Sequence, residues 1–213
     1  MTLRAALCLL LATVLTGCVT TGKQDPLKTE KGRDEARDAY IQLGIGYLQM
    51  GNTEQAKVPL RQALDIDSSS ADAHAALAVV YQTEMEPKLA ETEFRKALSA
   101  RSGDARILNN YASFLFEQKR YQEAYDTYMK ATDDGLYSER SRIFENLGLV
   151  SMKLNKRAEA KEFFEKAVRL NRNTPGALIE LADLNYQDRE YVPSRAFYEA
   201  YLKQGPQTAR SLL

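Results

Sequence analysis

A single pattern of small and large apolar residues recurs along this chain. Small residues mark it at intervals of 34, 34, 36 and 34 residues: Ala56, Ala90, Ala124, Ala160 and Ser194. Four residues after each of them stands a large apolar residue: Leu60, Phe94, Tyr128, Phe164 and Tyr198. A period of this length indicates stacked supersecondary units, in which small residues lie where two helices cross closely. The period therefore predicts an all-α chain built from repeated helix pairs.

The first copy of the pattern is nearly complete. It consists of Tyr40-x2-Leu43-Gly44-x2-Tyr47, Ala56-x3-Leu60 and Ala63. This arrangement resembles the tetratricopeptide repeat, a helix-turn-helix unit. The resemblance implies an all-α, right-handed superhelical solenoid. It places five repeats at residues 37–70, 71–104, 105–140, 141–174 and 175–208.

Capping residues agree with this register. Ser70, Asp104 and Thr174 stand just before expected first helices, where their side-chain oxygens can accept from the first free N–H groups. Because the third repeat is two residues longer than the others, we expect the helix after it to begin early. Pro59 falls inside an expected second helix, where it removes a backbone hydrogen bond and should kink the helix.

The first 17 residues are predicted to be a signal peptide. One positive charge, Arg4, precedes an apolar run too short to span a bilayer as a permanent helix. The ending Leu15-Thr16-Gly17-Cys18 resembles a bacterial lipobox. That resemblance implies a covalent lipid on Cys18, engagement of the lipoprotein sorting machinery and, with Val19 rather than Asp next, an outer-membrane destination. The alternative is an ordinary signal peptide with a chance cysteine.

Residues 18–36 are predicted to be the lipidated cysteine and a flexible tether, because the segment after Cys18 lacks aromatic residues and is rich in Thr, Lys, Asp, Glu and Gly. The 29 basic and 29 acidic residues balance, which argues against nucleic acid as a partner. At the other end, residues 209–213 resemble the start of a sixth repeat, with Pro206 and Thr208 before them. We expect a further repeat to be missing; the alternative is that the last residues fray.

The sequence offers little catalytic chemistry. His74 is the only histidine, and it occupies a slot where repeats one and four carry Tyr40 and Phe144, so a structural role is favoured. Cys8 is removed with the signal peptide and Cys18 carries the lipid, which leaves no thiol. No spacing typical of a metal site or a phosphate-binding loop occurs. We therefore expect no enzyme activity, no cofactor other than the covalent lipid, and no small-molecule substrate.

What remains is a surface for a protein partner. In tetratricopeptide proteins the inner wall is formed by certain positions of each first helix, and in the first repeat these carry three aliphatic side chains, at residues 41, 45 and 48. Exposed apolar surface marks interaction sites. The predicted partner-binding residues are Ile41, Ile45, Leu48, Val79, Phe116, Leu149, Met152, Ile179 and Tyr186. Two alternatives are that the tether folds back over them and that the groove self-associates.

The lipobox, the short tether and the repeats together resemble the PilF/PilW group of type IV pilus pilotins. The repeats themselves are similar to that group, for example in the run LGIGYLQMGNTEQAKVPLRQALDIDSSSADAHAALAVVYQ. The resemblance implies an outer-membrane lipoprotein whose groove holds the secretin subunit and promotes its outer-membrane localisation and multimerisation. The alternative is an anchored scaffold for peptidoglycan-synthesis enzymes or outer-membrane protein assembly, since tetratricopeptide lipoproteins serve both.

Overall fold

The computed structural model describes residues 26–204, which form ten α-helices after a short 3₁₀ helix at Pro26–Lys28 and include no strand. The helices are α1 Glu30–Gln49, α2 Thr53–Ile66, α3 Ala71–Thr83, α4 Pro87–Ala100, α5 Ala105–Glu117, α6 Tyr121–Ala131, α7 Arg140–Lys153, α8 Arg157–Leu170, α9 Pro175–Gln187 and α10 Tyr191–Leu202. None of these helices combines the length and the hydropathy that a membrane span requires.

The helices pair in chain order into five antiparallel hairpins that stack side by side. Each second helix contacts the first helix of the next hairpin, and consecutive first helices contact one another. The predicted all-α solenoid of tetratricopeptide repeats is confirmed. The sixth-repeat residues 209–213 and the end of the fifth repeat after Gln204 lie outside the described residues.

The small residues of the pattern lie where helices cross. A Cβ atom built on Gly44 would collide with the Leu60 side chain, and one on Gly148 would collide with the Phe164 ring. The large residue of the second helix is at most 2% exposed in the first four repeats. Tyr198, in the fifth, is only half-buried. The core is therefore completed by the repeat that follows, as expected for units that cannot bury their apolar face alone.

The turn inside each hairpin uses one residue in the left-handed region. These residues share one slot of the repeat, at φ angles between 60° and 76°: Gly51, Met85, Lys119, Asn155 and Arg189. A left-handed residue ends a helix by redirecting the chain, at little cost for glycine and at a higher cost for side chains such as those of Met85 and Lys119. The turn geometry is therefore imposed by the packing of the hairpin rather than by the local residue type.

The N-terminal boundary of the fold differs from the prediction. Helix α1 begins at Glu30, so the predicted flexible tether is wrong over residues 30–36. Thr29 caps this helix by accepting from the Gly32 N–H at 3.0 Å. Arg37, which bridges Asp34 and Asp67, fixes the extra turns to the repeat. The predicted signal peptide 1–17 and Cys18 lie outside the described residues.

Two of the three capping predictions are confirmed. Ser70 accepts from the Ala73 N–H at 3.4 Å, and Asp104 accepts from the Ile107 N–H at 3.0 Å. Thr174 is the exception, because its hydroxyl donates to the Asn171 carbonyl instead.

Two further expectations concern helix boundaries and continuity. Helix α7 begins at Arg140, the expected early start. Helix α2 continues past Pro59, which is buried.

Candidate partner-binding groove

The inner wall of the solenoid is formed by the first helices α1, α3, α5, α7 and α9, which contact one another in succession. In the first repeat, Ile45 and Leu48 are half-buried and pack against the cluster around Leu60 and Leu77. Val79 stands one repeat further along, in the same slot as Ile45, and is also half-buried. These three aliphatic side chains therefore leave part of their surface open along the first two repeats.

Ile41 does not belong to this open surface, and the prediction is wrong on that residue. Its side chain is 4% exposed and packs with Ala63 of α2 and Ala73 of α3. The two alanines are small, which leaves a space that the Ile41 side chain fills. Ile179 occupies the same slot in the fifth repeat and is 8% exposed, so it too is a core residue rather than a contact residue.

The other predicted residues are accessible to different degrees. Phe116, Leu149 and Met152 are half-buried and pack against the main core cluster, so that one side of each remains open. Tyr186 is 66% exposed and contacts the Tyr191 ring edge-on, with ring centroids 5.6 Å apart. The accessible apolar residues form one group on the first two repeats and another on the third and fourth, and Tyr186 stands apart on the fifth.

A recess of about 230 Å³ lies within the group on the third and fourth repeats. It is lined by Ser113, Phe116, Glu117, Tyr128, Asn146 and Leu149. The hydroxyl groups of Ser113 and Tyr128 are 2.8 Å apart, and the Ser113 hydroxyl donates to the Asn109 carbonyl at 2.9 Å. Burial raises the pKa of Tyr128 to about 12, so its hydroxyl stays protonated.

Four of these six residues, Ser113, Glu117, Tyr128 and Asn146, are not among the predicted partner-binding residues. The sequence nevertheless contains a sign of the recess, because Ser113 stands in the slot that is aliphatic in repeats one, two and four.

Charged groups on this wall pair mainly with one another. Asp72 accepts from Arg106, and it lies 2.5 Å from an Arg101 nitrogen. Glu145 of α7 accepts a hydrogen bond from the Ala177 backbone N–H at the start of α9. Burial raises the pKa of Glu145, and the Ala177 N–H opposes that shift. Glu145 thus caps the helix end that the Thr174 side chain leaves uncapped.

His74 has the structural surroundings that the sequence predicts. It is 6% exposed, its Nδ1 lies 2.5 Å from a Glu93 carboxylate oxygen, and its Nε2 lies 3.0 Å from the Ser68 carbonyl. Both nitrogens thus face acceptors that fix the ring between α3, α4 and the preceding turn. Within residues 26–204 no group of three or more His, Cys, Asp or Glu side chains is arranged to hold a metal ion.

Comparisons with known proteins agree with this architecture. Two family models described as "Tetratricopeptide repeat" match residues 38–70 and 74–191. The whole chain is 68% identical to the type IV pilus assembly protein PilF of Pseudomonas aeruginosa, and it covers 84% of that protein.

Two solved structures extend the comparison. The structure of Pseudomonas aeruginosa PilF superposes with a TM-score of 0.84, over 85% of this chain and 82% of that one. The crystal structure of PilW, described as a widely conserved type IV pilus biogenesis factor, is 25% identical with a TM-score of 0.74, over 83% and 81% of the two chains. The chain therefore belongs to the tetratricopeptide-repeat family of type IV pilus assembly proteins that includes PilF and PilW.

Proposed function

We propose that this protein is a pilotin, an outer-membrane lipoprotein that binds the secretin subunit of the type IV pilus and promotes its outer-membrane localisation and multimerisation. Membership of the family of type IV pilus assembly proteins supports a role in pilus biogenesis. The observation that carries the binding role is the accessible apolar strip of Ile45, Leu48 and Val79 on the inner wall. We call these three residues the apolar strip.

The apolar strip suits a segment that presents apolar side chains in a row. Burying one valine, leucine or isoleucine side chain contributes about 1.5–3 kcal/mol. Two or three such contacts suit an amphipathic helix that lays its apolar face in the groove. Because the strip is carried by rigid helices, the partner would meet a preformed surface.

The anchor in this proposal is the lipid on Cys18. Several acyl chains on one residue, at about 0.8 kcal/mol for each buried methylene, hold a protein durably on a bilayer. Residues 18–25 could place the fold at most about 28 Å from that residue, since an extended chain spans about 3.5 Å for each residue. The lipoprotein sorting machinery would then direct the protein to the outer membrane, and the apolar strip would hold the secretin subunit.

The experiment compares secretin multimers in outer-membrane fractions from cells that lack this gene and carry variants of it. Ile45→Asp should abolish both secretin capture and multimer formation, because it places a charge in the apolar strip. The slot tolerates this residue, since Asp183 occupies it in the fifth repeat. Cys18→Ser should leave capture intact and move the secretin away from the outer membrane, because it removes the anchor alone.

The matched control is Leu43→Asp. Leu43 lies on the same helix, is 49% exposed and occupies the slot of the core residues Leu77, Leu147 and Leu181 rather than a slot of the apolar strip, so its replacement should leave the multimer unchanged. Circular dichroism melts establish that all three variants fold. Normal secretin multimers in cells without the gene would contradict the proposal, and the client would then be sought in peptidoglycan synthesis or outer-membrane protein assembly.

A further inference from the structure

At two positions of the repeating pattern, the third repeat carries a residue with a hydroxyl group where the second and fourth repeats carry apolar residues. The slot that holds Ile45, Val79 and Leu149 in other repeats holds Ser113 here. The large residue of the second helix, phenylalanine in the second and fourth repeats, is Tyr128. The small side chain opens the recess of about 230 Å³, and the tyrosine hydroxyl reaches its floor. Cavities that hold drug-sized ligands begin at about 300 Å³, so this recess suits a single side chain.

The hydrogen bonds around Tyr128 determine what its hydroxyl can still do. A serine hydroxyl has one hydrogen, and that of Ser113 is directed at the Asn109 carbonyl, 2.9 Å away. The 2.8 Å contact between Ser113 and Tyr128 therefore has Tyr128 as the donor. Tyr128 is 2% exposed and its hydroxyl hydrogen is in use, which leaves its oxygen lone pairs as acceptors at the recess.

The other polar groups of the recess also offer acceptor oxygens, although the Asn146 amide keeps a second N–H donor. The Asn146 side-chain amide donates to the Asn109 side-chain oxygen at 3.2 Å, and its own carbonyl oxygen remains an acceptor. Glu117 accepts from the Gln82 side-chain amide at 2.6 Å. Across residues 26–204 no lysine or arginine forms an ion pair with Glu117. Arg142 acts on Tyr128 through its charge, but it is exposed to solvent and does not line the recess.

We propose that this recess, which we call the acceptor recess, binds a lysine or arginine side chain of the segment that occupies the groove. An ammonium has three donors and no acceptor, which complements the Tyr128 hydroxyl oxygen, the Asn146 carbonyl oxygen and the Glu117 carboxylate. Phe116 and Leu149 line the apolar stem of such a side chain. The inference names the partner chemistry of the proposed groove and so rests on the proposed function.

Neighbouring residues define the rest of the expected segment. Leu149, Met152 and Phe116 offer open apolar surface beside the acceptor recess, and the apolar strip offers more along the first two repeats. The fitting sequence is therefore a basic residue flanked by apolar ones, in a segment that crosses from the third repeat towards the first. Arginine would use the same acceptors in a planar arrangement.

The chemistry of the recess is tested first with a small probe. Methyl NMR of the intact folded protein would follow Leu149 and Met152 during titration with N-acetyl-lysine methylamide, using the norleucine analogue as the matched control. We expect the methyl chemical shifts to saturate with a millimolar dissociation constant for the lysine compound. The norleucine analogue should bind at least tenfold more weakly. Equal responses, or no saturable shift with lysine, would overturn the proposal.

Two variants connect the recess to the probe. Ser113→Leu fills the space with the residue type that Leu149 has in the same slot, and it should abolish the lysine response. Tyr128→Phe removes one acceptor and keeps the ring, as Phe94 and Phe164 do in their repeats, and should weaken the response severalfold. A full lysine response in Ser113→Leu would place the binding elsewhere and contradict the inference.

The same variants are then tested with the periplasmic region of the pilus secretin as the probe. We expect Ser113→Leu and Glu117→Gln to weaken its capture at least tenfold. Unchanged capture in both, with capture lost in Ile45→Asp, would overturn the use of the recess while the pilotin proposal stands. If Ile45→Asp also captures the secretin normally, the proposed function fails, and the lysine titration still decides the chemistry of the recess.

Discussion

The junction between the second and third repeats and the junction between the fourth and fifth use the same slot with opposite charges. In each case the residue after the small residue of the second helix reaches the hairpin turn of the next repeat. Glu91 accepts from Arg120, which adjoins that turn, at 2.8 Å, and also from the Tyr111 hydroxyl in the middle of α5 at 3.2 Å. Lys161 instead donates to Glu190 at 2.9 Å.

The difference shows that the repeats share their backbone geometry but differ in the residues that contact this slot. The slot carries Lys57 at the first junction, where it lies 3.0 Å from Glu84, and Tyr125 at the third, where it donates to Glu159 at 2.8 Å. The slot is anionic only in the second repeat, where Arg120 faces it; at the third junction Lys156, which corresponds to Arg120, lies over the Tyr125 ring with its Nζ 4.0 Å from the centroid. Placing the third repeat after the first or the fourth would set Arg120 against Lys57 or Lys161, so these charges favour its position after the second repeat.

The two junctions also differ in how far the charges are shielded from water. The side chains of Glu91 and Arg120 are 25% and 30% exposed, whereas Glu190, the partner of Lys161, is 52% exposed. Hydrogen bonds from Arg120 lower the pKa of Glu91 to about 2. Because exposed pairs are weakened by solvent, the second junction should contribute more to stability than the fourth.

Reversing the charge of Glu91 should give the largest effect. Glu91→Lys puts a cation against Arg120 and Arg95, and we expect it to reduce the free energy of unfolding by about 2–3 kcal/mol, since it replaces a partly buried pair by a repulsion. Adding Arg120→Glu should restore about half of the loss. The restoration is partial because Arg120 also binds Glu123. Urea unfolding followed by circular dichroism measures all three proteins.

Lys161→Glu is the matched reversal at the other junction. It faces Asp188 and Glu190, which are more exposed, so we expect a loss of about 1 kcal/mol. Equal losses at the two junctions, or no restoration in the double variant, would show that the charges do not specify the contact.

Acid should separate the two junctions further. The pKa of Glu91 is about 2 in the folded protein against an ordinary 4.5, so the folded state binds fewer protons. The stabilisation by Glu91 is complete above 4.5 and is lost as the pH falls towards 2. Burial raises the pKa of Glu145 at the fourth junction, so its protonation on acidification increases stability instead. Between pH 7 and pH 2.5, the free energy of unfolding should therefore fall by about 1 kcal/mol less in Glu91→Gln than in the parent protein.

The pH comparison has its own control. Glu145→Gln keeps the shape of the side chain and removes its titration, so it should make the stability fall more steeply on acidification, opposite to Glu91→Gln. If the two variants change the slope in the same direction, the assignment of opposite roles to these carboxyl groups is wrong.

The sequence predicted the stack because the period is carried by residues whose role depends on size alone. The positions of Ala56 and Leu60 are buried in each of the first four copies, so their spacing defines the hairpins. The same register led to an error at Ile41. Which face of that slot is open depends on Ala63 and Ala73, which come from two other helices. A one-dimensional pattern does not show how far a neighbour fills the space.

Other features escaped prediction because they arise from packing between repeats. Met85 adopts a left-handed turn that its residue type disfavours, since the hairpin imposes it. The acceptor recess requires Ser113 and Tyr128 to approach from different helices, although the change of residue type at both slots is visible in the sequence. The cap that Glu145 supplies to α9 comes from a helix two elements earlier in the chain.

The smallest expected effect concerns that cap. A Cβ on Gly176 would collide with the Glu145 carboxylate, so Gly176→Ala should push Glu145 away from the Ala177 N–H. Losing a cap costs about 1 kcal/mol, and the better helix propensity of alanine offsets part of it, so we expect a net loss of about 0.5 kcal/mol. Hydrogen exchange at Ala177 should accelerate severalfold, because its amide loses its acceptor.

Gly46→Ala lies on the first helix of the first repeat, at the other end of the stack, and should change the stability in the opposite direction. A Cβ on Gly46 meets no atom within 4 Å, so the substitution brings only the helix propensity of alanine and should stabilise the protein by about 0.5–1 kcal/mol. The contrast isolates the cap from the general effect of replacing a helical glycine. If both substitutions stabilise the protein and exchange at Ala177 is unchanged, the glycine at residue 176 does not serve the Glu145 cap. The polar contribution at the fourth junction would then come from Lys161 and Arg157, which both contact Asp188.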